Sequence, residues 1–335
     1  MEISFGTKTR GMVMRETLKK QCEAFIHNRD EIKSYFKWEN AYLVAVCASE
    51  FCGKNIHVEV EKLLECKNIV DKTNGLFSNF RGAAKLAVIC MLAADENPQA
   101  KMVKAREIHE IFKLKFRDSQ YLTMIATKLC DMIDVDQADG CAERAKDLYN
   151  LMRKEHPFIT GGEDSAFAAL LAFSDKTDED LIEDMEICYR NMKKFSSDSN
   201  AMQSLSHVLA LAPGEPEKKC ERVLAIHKAL EEEGYRYGKG YEMAVLGALS
   251  ILPIDPKLMI EDIKEVDAFL AEQKGYGALG IDKKTRLMHA TMLVADDYSN
   301  KNIANTTAFA GAFAMMAAQQ AAMCAIIASV AVTTT

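Results

Sequence analysis

Ser165–Met192, SAFAALLAFSDKTDEDLIEDMEICYRNM, joins two segments of opposite character. Ser165–Phe173 is apolar on nearly every side, which predicts a short helix buried on most faces. A polar break follows. From Asp180 the apolar residues are Leu181, Ile182, Met185, Cys188, Tyr189, Met192 and Phe195. Steps of three and four draw one stripe along a helix, and the Glu and Lys residues between them suit water. The stretch therefore predicts a hairpin of one apolar and one amphipathic helix.

The same unit recurs in both directions. An Asp or Pro closes the apolar segment at Asp95, Asp134, Asp175, Pro213, Pro253 and Asp296, and an aromatic closes the polar one at Phe77, Phe116, Phe158, Phe195, Tyr235 and Tyr276. Both markers recur about every forty residues, a period that signals stacked supersecondary units. Apolar helices are expected over 82–94, 121–133, 165–173, 201–211, 241–252 and 285–294. Asp, Pro and Gly clusters such as Asp95-Glu-Asn-Pro98, Pro213-Gly-Glu-Pro216 and Pro253-Ile-Asp-Pro256 break the chain and start the next helix. Gly-aromatic loops at Gly234-Tyr-Arg-Tyr-Gly238 and Gly275-Tyr-Gly277 supply left-handed helix ends.

No segment alternates with period two long enough for a strand, so the expected fold is all-α. About six antiparallel helix pairs would line the inside with apolar helices and cover the outside with amphipathic ones. Repeat counting does not fix the curvature per unit: an open α-solenoid is the reading adopted, with a closed α/α toroid as the alternative. The expected organisation is N-terminal helices over 1–40 (12–27 and a segment near Trp38), the repeat over 41–300, and an Ala-rich helix over 301–335, uncharged after Lys301.

Stacked units share one core, so 335 residues need not split into two domains. The net charge of −7 disfavours nonspecific nucleic-acid binding, which needs concentrated positive surface. Ten cysteines include no Cys-x-x-Cys pair, and most sit within apolar runs as small buried hydrophobes. The first fifteen residues lack the apolar core of a signal peptide. These features predict a cytoplasmic protein with reduced thiols.

No residue after Lys301 is charged, and 308–331 is almost wholly apolar apart from Gln319 and Gln320. Its length would span a bilayer. Its alanines, the two central amides and the missing aromatic belt point instead to a buried or self-associating helix, with membrane contact as the alternative.

The strings Ser165–Met192 and Lys274–Tyr298 (KGYGALGIDKKTRLMHATMLVADDY) resemble the DUF4003 proteins of Firmicutes-type bacteria, and the resemblance spans most of the chain. It implies a bacterial helical-repeat protein and carries over no catalytic residue.

Several motifs nearly match a chemistry. Gly275-Tyr-Gly-Ala-Leu-Gly280 is a formal G-x-G-x-x-G, but a helix precedes it where a dinucleotide fold needs a strand, so it reads as a helix-to-helix turn. Asp134–Ala145 lacks the closing Glu of a calcium loop. His109-Glu110 is not followed by a second His at the zinc spacing, and no catalytic, cofactor or metal set is assigned. His207 and His289 fall at comparable places in apolar helices. With Tyr235, Tyr237 and Tyr276 they are the inner-surface candidates for a pocket. The leading expectation is a non-catalytic scaffold that binds another protein or itself; an enzyme or small-molecule binder with a cavity among the inner helices is the alternative.

Overall fold

The computed structural model describes residues 14–54, 56–73, 83–277, 280–301 and 316–323. They are helical and turn residues, with a single isolated bridge between Tyr276 and Ile281 and no strand among them. The helices come in pairs. The first are α1 (Glu16–Tyr35) with α2 (Ala41–Cys52), α3 (Val60–Thr73) with α4 (Ala83–Ala93), and α5 (Pro98–Lys113) with α6 (Gln120–Leu129). Then come α7 (Ala138–Glu155) with α8 (Asp164–Leu171), and α9 (Asp178–Lys193) with α10 (Ser199–Ala210). The last are α11 (Pro216–Glu232) with α12 (Glu242–Ser250), and α13 (Pro256–Ala271) with α14 (Lys283–Lys301). Six of these pairs carry their apolar helix where it was expected, but the pairing is shifted by one helix. Each apolar helix packs more on the amphipathic helix before it than on the one after, as α10 does on α9, so the expected hairpin of 165–173 with 180–195 is replaced by α7–α8 and α9–α10. The seventh comes from the N-terminus, where α1 runs to Tyr35 and packs on α2 as later pairs do. The helix expected near Trp38 starts at Ala41 instead, because the Asn40 side chain accepts from Tyr42 N and caps it there.

The breaks act as read from the sequence. Pro98, Pro216 and Pro256 are the first residues of α5, α11 and α13, where a missing N–H costs nothing. Asn97, Thr177, Asp198 and Asp255 accept from backbone N–H groups of the first turn. At the end of α11, Gly234 takes φ 86° while Tyr235 N donates to Leu230 O, closing the helix in a Schellman turn.

The two helix types sort into two layers. Every residue of α8 is buried, as are Ala201–Ala210 in α10 and Met243–Ser250 in α12. In α9 only the stripe Leu181, Met185, Cys188 and Met192 is buried. Each even helix packs on the next even helix and each odd helix on the next odd one. The last pair also meets the first: α13 and α14 touch α1, and α14 touches α2. Short connections make each pair antiparallel, so among the described residues the odd-to-even turns lie at one end and the even-to-odd turns at the other.

Cations from the amphipathic layer hold the ends of the apolar one. Arg144 on α7 donates to Ala172 O, Ser174 O and Lys176 O beyond α8, and Arg222 on α11 donates to Ser250 O at the end of α12 and to Leu252 O and Ile254 O beyond it. A guanidinium suits the negative end of a helix and fills carbonyls that no helical N–H reaches.

Residues 316–323 form a helical segment against the even layer. Ala317, Ala318, Ala321 and Ala322 are buried, and the segment borders a small void with residues of α2, α4, α6 and α8. This part of the uncharged tail is covered by the chain's own apolar helices. Phe77 and the rest of 308–331 lie outside the described residues. Among those described, no helix is long and apolar enough to cross a membrane.

Candidate functional site

The Lys274–Gly277 turn places the first candidate group. Gly275 (φ 92°) and Gly277 (φ 148°) bend the chain where a Cβ would be strained, and Ile281 N donates back to Gly275 O at 2.9 Å. The turn folds Tyr276 inward. Its hydroxyl is hydrogen-bonded to Nδ1 of His289 on α14 at 2.8 Å. Burial pushes the phenol up, so it keeps its proton. Burial, then the charge of Arg29, pushes His289 down to about 3. The neutral imidazole uses Nδ1 for the tyrosine, and its Nε2 has no hydrogen-bond partner among the described residues. From α1, Phe25 meets the imidazole edge-on with centroids 6.0 Å apart, and the Arg29 guanidinium lies 5.1 Å from the Tyr276 ring centre. Two of the five sequence candidates thus meet, at the contact between the first and last pairs.

The others lie elsewhere. His207 packs between α10 and α8, 5.0 Å from the Phe167 ring. Its Nδ1 is 3.9 Å from Asp164 Oδ1. Burial pushes Asp164 up to about 8 and His207 down to about 3, so near neutral pH both are uncharged and form no ion pair. Asp164 Oδ2 accepts from Gly161 N at 2.7 Å, a local turn contact. Tyr237 donates to Glu242 O at 3.1 Å and meets His227 edge-on. Tyr235 is half-buried against the core.

A polar cluster that the sequence candidates did not include lies beside 316–323. Lys128 Nζ on α6 donates to Glu50 Oε2 on α2 at 2.6 Å, with both side chains largely buried. Asp296 on α14 is buried and lies within electrostatic reach of both. Burial, with Glu50 adding to it, pushes Asp296 up to about 7. The void bordered by Glu50, Lys128, Gln319 and Gln320 is about 20 Å³, space for about one water. Asp296 reads in sequence as the marker that ends an apolar helix, yet α14 continues through it to Lys301.

One end of the molecule carries the most exposed apolar side chains among the described residues. Trp38 is 100% exposed, Phe158 97% and Leu114 79%. All three sit in odd-to-even turns, after α1, α7 and α5.

A family model described as "Protein of unknown function (DUF4003)" matches residues 28–321, nearly the whole chain. The chain belongs to the DUF4003 family. The match spans Arg29, Tyr276 and His289 at the contact of the first and last pairs, and the polar cluster around Glu50 and Lys128. No curated protein and no solved structure matches this DUF4003 chain.

Proposed function

We propose that this DUF4003 protein is a helical-repeat scaffold, closed into an α/α toroid, that binds another protein or a second copy of itself through one end. The packing of α13 and α14 on α1, and of α14 on α2, supports closure over an open solenoid. With 316–323 seated against α2, α4, α6 and α8, the inner layer is occupied by the chain's own residues, which directs recognition outward.

The observation that carries the reading is the exposure of Trp38, Leu114 and Phe158 on three turns at one end. Large apolar side chains left mostly in water on three turns at one end suit burial against a partner, where aromatic residues contribute most. The test compares the full chain with Trp38→Ser/Leu114→Ser/Phe158→Ser. Mass by light scattering across concentration and recovery of bound proteins are the readouts. The scaffold reading expects association that the triple variant loses while keeping its helical circular dichroism. Equal mass and equal recovery in both proteins would refute it.

A further inference from the structure

The end of α1, the start of α2 and the α13–α14 turn enclose a cleft of about 420 Å³, within the size range of small-molecule sites. Arg29, Lys33, Lys37 and Lys274 line it, with Asp30 the one acidic residue in the wall. In a chain of net charge −7 this is a local inversion of sign, and a concave wall concentrates its field. The floor is apolar, formed by Ala41, Val44 and Ile281.

Arg29 makes this more than a group of surface lysines. Its side chain is 7% exposed. Nε and Nη2 donate to Asp30 Oδ1 at 2.9 and 2.6 Å, and Nη2 also donates to Lys274 O at 2.8 Å. Nη1 is buried and has no hydrogen-bond partner among the described residues. An unpaired guanidinium N–H below the surface is costly, and Asp30, with Glu39 near Lys33, offsets only part of the four positive charges. Lys33 Nζ donates to Glu39 O, which leaves it further protons to donate. Lys37 and Lys274 are exposed at the rim.

We infer that this cleft binds a small organic anion, with a phosphate or carboxylate head on the Arg29–Lys33–Lys37–Lys274 wall and a compact apolar body on Ala41, Val44 and Ile281. A pair of phosphate or carboxylate oxygens matches a guanidinium edge, and lysines supply mobile point charges around it. The assignment does not depend on the scaffold reading, because its ligand enters a pocket and needs no apolar end surface.

Trp38, the only tryptophan in the chain, follows Lys37 directly and reports on the rim by its fluorescence. The probes are phenyl phosphate, inorganic phosphate and phenol, titrated into the full chain by fluorescence and calorimetry. Phenyl phosphate is expected to bind at least tenfold more tightly than either fragment, and more weakly as salt is raised. Lys37→Gln/Lys274→Gln, at exposed positions that leave the core intact, should weaken it at least tenfold. Arg29→Lys, which keeps the charge, should weaken it at unchanged helical content. No phenyl phosphate binding up to millimolar concentration would overturn the assignment. So would phenol binding as tightly, or affinity unmoved by the double lysine variant.

Discussion

Arg15 Nη1 lies 2.6 Å from Asp297 Oδ2, joining residues 282 positions apart. The same guanidinium takes both oxygens of Asp262 through Nε and Nη2, and lies 4.7 Å from the Tyr298 ring centre. One side chain just ahead of α1 thereby ties together α13 and α14. Asp262 and Asp297 are nearly buried, while Arg15 keeps about a third of its surface.

Replacing Arg15 should therefore loosen the contact between the first and last pairs. Arg15→Ala leaves two buried carboxylates short of their cation, and we expect a loss of about 3 kcal/mol, the low end for breaking a buried pair. Arg15→Lys should recover only part, since an ammonium cannot hold both oxygens of Asp262 and reach Asp297. Urea denaturation measures both, and an alanine variant as stable as the parent would show that the bridge is incidental.

Asp296 predicts a falling stability across the acid-to-neutral range. Its folded value is raised from 3.8 to about 7, so the fold binds this proton more tightly than the unfolded chain does. Its contribution is complete below 3.8 and is lost as pH rises to about 7. Asp296→Asn, which cannot ionise, should gain on the parent as pH rises through that window. Urea midpoints at pH 4, 5.5, 7 and 8 give the difference, and a constant offset would contradict the raised value.

His207 and His289 act with the opposite sign. Each is lowered from 6.5 to about 3, so the fold excludes the proton that the unfolded chain accepts. Their contribution is full above 6.5 and is lost as pH falls toward 3. His207→Gln and His289→Gln should each give a flatter acid limb than the parent, whatever their stability at pH 7. A limb parallel to the parent's in both would show that neither imidazole is held neutral.

Gly247 and Gly140 should respond oppositely to the same change. On α12, a Cβ at Gly247 would meet Leu205 Cδ1 of α10 at 2.5 Å, whereas a Cβ at Gly140 on α7 meets nothing within 4 Å. Alanine should stabilise at 140 by about 0.5–1 kcal/mol through helix propensity. At 247 overpacking should outweigh that gain and cost about 1–2 kcal/mol net. Thermal or urea unfolding of both variants decides it; equal effects would deny the close approach of α10 and α12.

What the residues of this chain determined by themselves is local. The stripe Leu181–Met185–Cys188–Met192, the run Ser165–Phe173, the prolines at 98, 216 and 256, and the glycines at 234 and 275 each act within a turn or two. Their pattern carries helix type, register and breaks. Tertiary structure alone decided that α1 pairs with α2, that Arg15 reaches Asp297, that Arg29 lies over Tyr276, and that 316–323 lies among α2, α4, α6 and α8. Such contacts join residues up to 282 apart and leave no periodic trace. Asp296 marks the division: beside a turn it would cap a helix, but once α14 runs on through it, burial makes the same carboxyl a proton-holding group of the interior.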